Sequence, residues 1–224
     1  MSFTGEPLPS LTMAPRSNAQ SALISARSAQ LQKIFKVRPV IAAVRSDDDL
    51  NFALQSDAPV VALMNGHILQ LPQLVLKLHQ AGRKVFIHPE LIHGLGKDPA
   101  GIDYLADLVN PDAIVSTKKA LLQKARDRGL LSVFQFFAID TQAVISALEN
   151  AKSIEPDFIE MMPGVLFNQI GQIAAITQIP LITGGLIKKE TEIHQVLTAG
   201  ATALSTSTES LWNYKMMEVS DAAR

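Results

Sequence analysis

From Pro39 onward, short apolar runs rich in β-branched residues alternate with longer helical patterns at a regular beat, and this alternation constrains the fold more than any other feature of the chain. Eight runs read as strands: Val40 to Val44, Val60 to Met64, Lys84 to His88, Ala113 to Ser116, Leu131 to Gln135, Phe158 to Met161, Leu181 to Thr183 and Ala203 to Thr206. Helical patterns fall between them at Ser46–Leu54, Gln70–Ala81, Gly101–Leu108, Lys119–Arg128, Thr141–Ala151, Leu166–Thr177 and Thr191–Ala199, with a last one near Glu209–Met217. Gly82, Gly129 and Gly200 stand where a left-handed residue closes a helix. Strands as uniformly apolar as Val60-Val61-Ala62-Leu63-Met64 belong in a parallel sheet covered by helices. Eight such units close into a compact α/β (β/α)8 barrel, here with little room for insertions. The runner-up is an open doubly wound sheet, but the first turn, Val44-Arg45-Ser46-Asp47-Asp48-Asp49, holds no Gly-rich dinucleotide fingerprint.

The predicted organisation is residues 1–38 as a tail with a short helix, 39–217 as the barrel and 218–224 as a C-terminal tail. The first segment carries five cations against one acid and reads as a basic solvated arm, leaving an acidic excess on the remainder. Net charge of −1 excludes a globally basic nucleic-acid binder, so any RNA contact must come from a local patch. With no cysteine, disulfides, thiolate metal sites and cysteine nucleophiles are excluded, and a reducing cytoplasm is the expected compartment. No apolar run approaches the length of a membrane span.

In such a barrel the functional groups come from the carboxyl ends of the strands. Those ends supply Arg45, Asn65, His88, Glu90, Lys118, Gln135, Asp140, Glu160, Gly184, Gly185, Lys188 and Ser205 to Ser207. At strands seven and eight, Gly184-Gly185 and Ser205-Thr206-Ser207 are small enough for backbone amides to approach an anion, and a following helix would add its positive end. The plainer reading is a tight turn and a helix cap. Glu160 at the end of strand six could accept hydrogen bonds from ligand hydroxyls, act as a general base, or pair structurally with a neighbouring cation. Lys118 could contact an anion or serve as a Schiff-base lysine. His88 and His93 lack a third ligand at a recognised spacing, so no metal is expected. The stretch Lys118, Lys119, Lys124, Arg126, Arg128 is the densest basic run of the barrel, either an RNA contact or a solvated helix face.

Several long motifs occur in order: GRKVFIHPELIHGL at 82–95, AIVSTK at 113–118, PDFIEMMPGV at 156–165, PLITGGLIK at 180–188 and AGATALSTSTESLW at 199–212. In these the chain resembles the glycerol uptake operon antiterminator regulatory proteins of bacteria, over nearly the whole barrel. The resemblance implies a cytoplasmic, non-enzymatic barrel that needs no cofactor, senses glycerol 3-phosphate and acts on leader mRNA to prevent premature termination in glycerol uptake and utilisation genes. It places the effector phosphate near Gly184, Gly185, Ser205, Thr206 and Ser207, with Lys188 close by, and the glycerol part toward Glu160, Lys118 and His88. Candidate RNA contacts are Lys119, Lys124, Arg126 and Arg128 on one helix and Lys33, Lys36 and Arg38 in the N-terminal segment. A homo-oligomer is compatible with the barrel. The chain departs from the family pattern at His67, Glu90 and Gln135, where an acidic residue, an Asp and an Arg are expected. Two other functions remain open at this level: an enzyme acting on a small phosphorylated substrate, with Glu160 as base and Lys118 as electrophile, and a regulator whose partner is a protein.

Overall fold

In a computed structural model that describes residues 19–216, eight parallel strands close into a barrel in sequence order, β1 pairing with β8. They are β1 Val40–Val44, β2 Val60–Leu63, β3 Lys84–Ile87, β4 Ala113–Ser116, β5 Leu131–Phe137, β6 Phe158–Met162, β7 Leu181–Gly184 and β8 Ala203–Thr206. The strands match the sequence reading to within two residues, and the closed ring removes the open-sheet alternative. The helices are α1 Ala19–Phe35, α2 Asp47–Gln55, α3 Leu71–Gln80, α4 Pro99–Tyr104, α5 Lys119–Asp127, α6 Thr141–Ile154, α7 Phe167–Ile176 and α8 Glu190–Thr198. A π-helical turn, Leu105–Val109, continues α4 and ends at Asn110 in the left-handed region.

The strand period of two sorts the side chains into two cores. Val40, Ala42 and Val44 of β1, with Val61, Leu63, Val85, Ile87 and Ile114, face outward and pack under the helices. Ile41, Val60, Ala62, Phe86, Val115, Val133, Phe158, Ile182 and Ala203 face inward and fill the barrel. Ile24, Leu31 and Phe35 of α1 belong to this inner core. The ring of Phe35 meets that of Phe158 edge-on at 6.3 Å. The described part of the N-terminal segment is thus no solvated arm: α1 closes the bottom of the barrel, and the guanidinium of Arg27 donates to the carbonyl of Gly129 at 2.8 Å. Residues 1–18 and 217–224, including most of the predicted tails, lie outside the described residues.

The helix expected near Glu209–Met217 is a correction. The chain forms a single 3-10 turn, Glu209–Leu211, because the indole of the buried Trp212 donates to the carbonyl of Thr206 at 2.8 Å and folds the segment back against β8. Among the described residues no helix is long and apolar enough to cross a membrane. Since Phe35 is 1% exposed at the barrel floor, Phe35→Ala is expected to lower the unfolding free energy by about 3–5 kcal/mol. Urea denaturation followed by circular dichroism measures this; a loss below about 1 kcal/mol would show that α1 does not seal the core.

Candidate functional site

The inward ladder of side chains does not stop at the apolar core. Continued toward the carboxyl ends of the strands, it brings Ala43, Ala62, His88, Gln135, Glu160 and Ser205 to the floor of a cavity of about 310 Å³ at the mouth of the barrel. Arg45, Met64, Met162, Gly185, Leu186, Ile187, Lys188 and the stretch Ser205–Thr208 complete its lining. A cavity of this size at the carboxyl face of a barrel suits one small polar ligand.

Glu160, only 5% exposed, is held by two donors: Ser205 Oγ gives its proton to Oε1 at 2.7 Å, and Gln135 Nε2 donates to Oε2 at 2.8 Å. Gln135 is its register neighbour on β5, whereas Ser205 reaches it across β7. That reach requires Gly184: a Cβ there would overlap the Ser205 hydroxyl and stand 3.0 Å from Glu160 Oε1. Gly184 and Ser205 therefore set the carboxylate in place. Thr206 lines the cavity, but its hydroxyl donates to the Ile187 carbonyl at 2.8 Å, as does that of Thr208 at 3.1 Å, which staples the loop after β7 to the end of β8. The loop turns through Gly185 and Leu186, both at positive φ (81° and 66°), a conformation costing a leucine about 1–2 kcal/mol. Gly185, Ser207 and Lys188 stand on the same wall, and among the described residues the side chains of Ser207 and Lys188 have no ion-pair or hydrogen-bond partner.

His88 sits in the floor at 6% exposure. Burial holds its imidazole below the ordinary 6.5, against the opposing pull of the Glu160 and Glu90 carboxylates. At neutral pH it is an uncharged ring with one donor and one acceptor.

Other predicted residues fall elsewhere. Lys118 is exposed at the N-cap of α5 and does not line the cavity; its own backbone amide donates to Ser116 Oγ at 2.9 Å. Glu90 accepts from Ser116 Oγ at 2.5 Å beside the site, and His67 forms an isolated bridge with His93 on the adjoining loops. On α5 and the residue after it, Lys124 pairs with Asp103 at 2.9 Å and Arg126 with Glu155 at 3.2 Å, while Arg128 contacts Asp103 at 2.7 Å and also Asp107. Lys119 is exposed at the start of α5. Lys33 and Lys36 are exposed at the end of α1, and Arg38 pairs with Asp57 at 2.9 Å. Gln135 and Arg45, assigned no effector contact from the sequence, also line the cavity. Strand parity is the signal for both: 131, 133 and 135 share the inward face, as do 41, 43 and 45. Among the described residues no group of three or more His, Asp or Glu is placed to hold a metal ion.

Residues 40–212 match the sequence model of a family described as glycerol-3-phosphate responsive antiterminator. The chain is 29% identical to a glycerol uptake operon antiterminator regulatory protein from Listeria monocytogenes, with a TM-score of 0.75 over 90% of this chain and 98% of that one. It is 27% identical, with a TM-score of 0.71, to a glycerol uptake operon antiterminator-related protein from Thermotoga maritima MSB8, covering 80% of this chain and 99% of that one. An uncharacterized Escherichia coli (strain K12) protein, YgcP, is 30% identical over 182 residues, 81% of this chain and 95% of that protein.

Two outcomes test this geometry. Gly184→Ala is expected to destabilise the protein by about 1–3 kcal/mol, because an added methyl must displace Ser205 from the buried carboxylate. For His88 the folded state binds its proton less readily than the unfolded chain, so the stability it leaves intact above pH 6.5 is lost as pH falls through the folded value. Melting temperature measured from pH 7.5 down to 5 should drop more steeply for the wild type than for His88→Gln; parallel curves would mean that His88 is not buried in its neutral form.

Proposed function

The chain belongs to the glycerol-3-phosphate responsive antiterminator family, and from that premise we propose that the cavity at its barrel mouth binds glycerol 3-phosphate and that ligand binding controls association with leader mRNA. The observation that carries the reading is the division of the cavity wall. On one side stands a buried carboxylate whose two oxygens are fixed by Ser205 and Gln135. Each oxygen keeps an unused lone pair for a ligand hydroxyl, and neutral His88 supplies one more donor and acceptor. On the other side are Lys188 and the small residues Gly185 and Ser207, where a phosphate finds a cation, a hydroxyl and an accessible backbone. A carboxylate repels a phosphate, so a ligand carrying hydroxyls at one end and phosphate at the other enters in a single orientation. Glycerol 3-phosphate has that chemistry.

A regulator, and not an enzyme, fits the arrangement. The catalytic alternative paired Glu160 with Lys118, and Lys118 does not reach the cavity. The reading asks for no cofactor. It places the protein in the cytoplasm, where both a metabolic phosphate and nascent transcripts are found. Of the two basic regions considered for RNA, α5 has most of its cations engaged by Asp103, Asp107 and Glu155. Lys33 and Lys36 are exposed and make the end of α1 the better phosphate-backbone contact.

Calorimetric titration with glycerol 3-phosphate, beside glycerol and inorganic phosphate, tests the assignment. Saturable binding about 10-fold or more tighter than either fragment is expected, because both walls must be engaged at once. Equal binding of inorganic phosphate would reduce the site to an anion pocket, and absence of binding would remove the effector from the account.

A further inference from the structure

Arg45 follows β1 in the inward register of Ile41, which fills the barrel, and Ala43, which lies in the cavity floor, so the next inward position delivers its side chain to the cavity wall. Its backbone is fixed on both sides. The Arg45 amide donates to Asp49 Oδ2 at 2.7 Å, and its carbonyl accepts from Asn65 Nδ2 at 3.0 Å. Asp49 is itself anchored by a bond from its own amide to Ser46 Oγ at 3.1 Å. The guanidinium, in contrast, has no carboxylate partner among the described residues, although Arg27, Arg38, Arg126 and Arg128 are all paired. Asp47 and Asp48, in the first turn of α2, form no ion pair with it. Closure of the barrel sets β1 against β8 on one side, Ala42 opposite Thr206, while β7 flanks β8 on the other, Gly184 opposite Ser205. Arg45 and Lys188 are the arginine and lysine of the cavity lining, and they stand on the two flanks of the β8 exit.

We propose that Arg45 is the residue that selects a phosphate monoester: its guanidinium clamps the phosphate over the β8 exit from the side opposite Lys188. The planar fork offers two parallel donors to two phosphate oxygens, which an ammonium cannot do. Two cations around one site favour a dianion over a monoanionic carboxylate of similar size, and they hold the phosphate end away from Glu160. Ser205 and Gly184, which serve the carboxylate, are not needed for this contact. The proposal rests on the reading of the cavity as a glycerol 3-phosphate site and adds the residue that decides its charge preference.

The test is calorimetric titration of wild type, Arg45→Gln, Arg45→Lys and the control Lys152→Gln with glycerol 3-phosphate, each variant also followed by thermal melting. R45Q is expected to weaken binding about 10- to 100-fold without a change in melting temperature, as for loss of a charged hydrogen-bonding pair. R45K should recover part of the affinity and K152Q all of it. If the wild type fails to bind glycerol 3-phosphate, the reading of the cavity falls and the proposal with it. Where the wild type binds and a folded R45Q binds within about twofold of it, the cavity assignment stands and the role of Arg45 is overturned. Should R45Q not fold, R45K decides: a loss of about threefold or more supports the bidentate clamp, and unchanged affinity refutes it.

Discussion

Everything in this molecule depends on the pairing of β1 with β8. Three residues of each strand join the two ends of the sheet, and the parallel ladder becomes a ring with no open edge. Closure gives every strand an inside and an outside, which a period-two chain must then respect. It also makes neighbours of segments far apart in sequence. The turn after β1 and the turns after β7 and β8 form one wall of the cavity because the ring is shut, and an open sheet of the same strands would leave them at opposite margins.

The strands were legible because a buried parallel strand has no polar face to hide: runs such as Val60–Leu63 are apolar throughout and bounded by turn residues. The helix ends were legible through Gly82, Gly129 and Gly200, all of which adopt positive φ. The last helix was not, because what ends it is a single indole bond from Trp212 to Thr206, a tertiary contact that no local pattern announces. The burial of α1 was also hidden. The apolar residues it buries, Ile24, Leu31 and Phe35, are few and widely spaced, and its basic residues suggested solvent, whereas the open floor of the barrel supplied the surface they needed.

In the site, Glu160, His88, Lys188 and the Gly-Gly turn were visible as polar or small residues at strand ends. Their duties were less so. Gly184 and Ser205 read as phosphate ligands, and their relation to the carboxylate shows only in space: Ser205 reaches Glu160 from two strands away, over Gly184 of the intervening β7. Lys118 lies two residues beyond β4, at the N-cap of α5, and off the inward count that Ala113 and Val115 set along the strand. The same count admits Arg45. Charge behaves likewise, since a dense basic helix in the sequence is largely neutralised in space by Asp103, Asp107 and Glu155 from adjoining elements.

The position of α1 beneath the barrel bears on how the chain is made. It is the first of the described elements to leave the ribosome, but Phe158, which its Phe35 meets edge-on, and Ile182 and Ala203 of the inner core it joins belong to the last three strands. Until those strands have emerged and the ring has shut, the helix has no floor to seal. The earliest of the described elements is therefore the last to find its place, and its apolar face must remain soluble while the barrel is built above it.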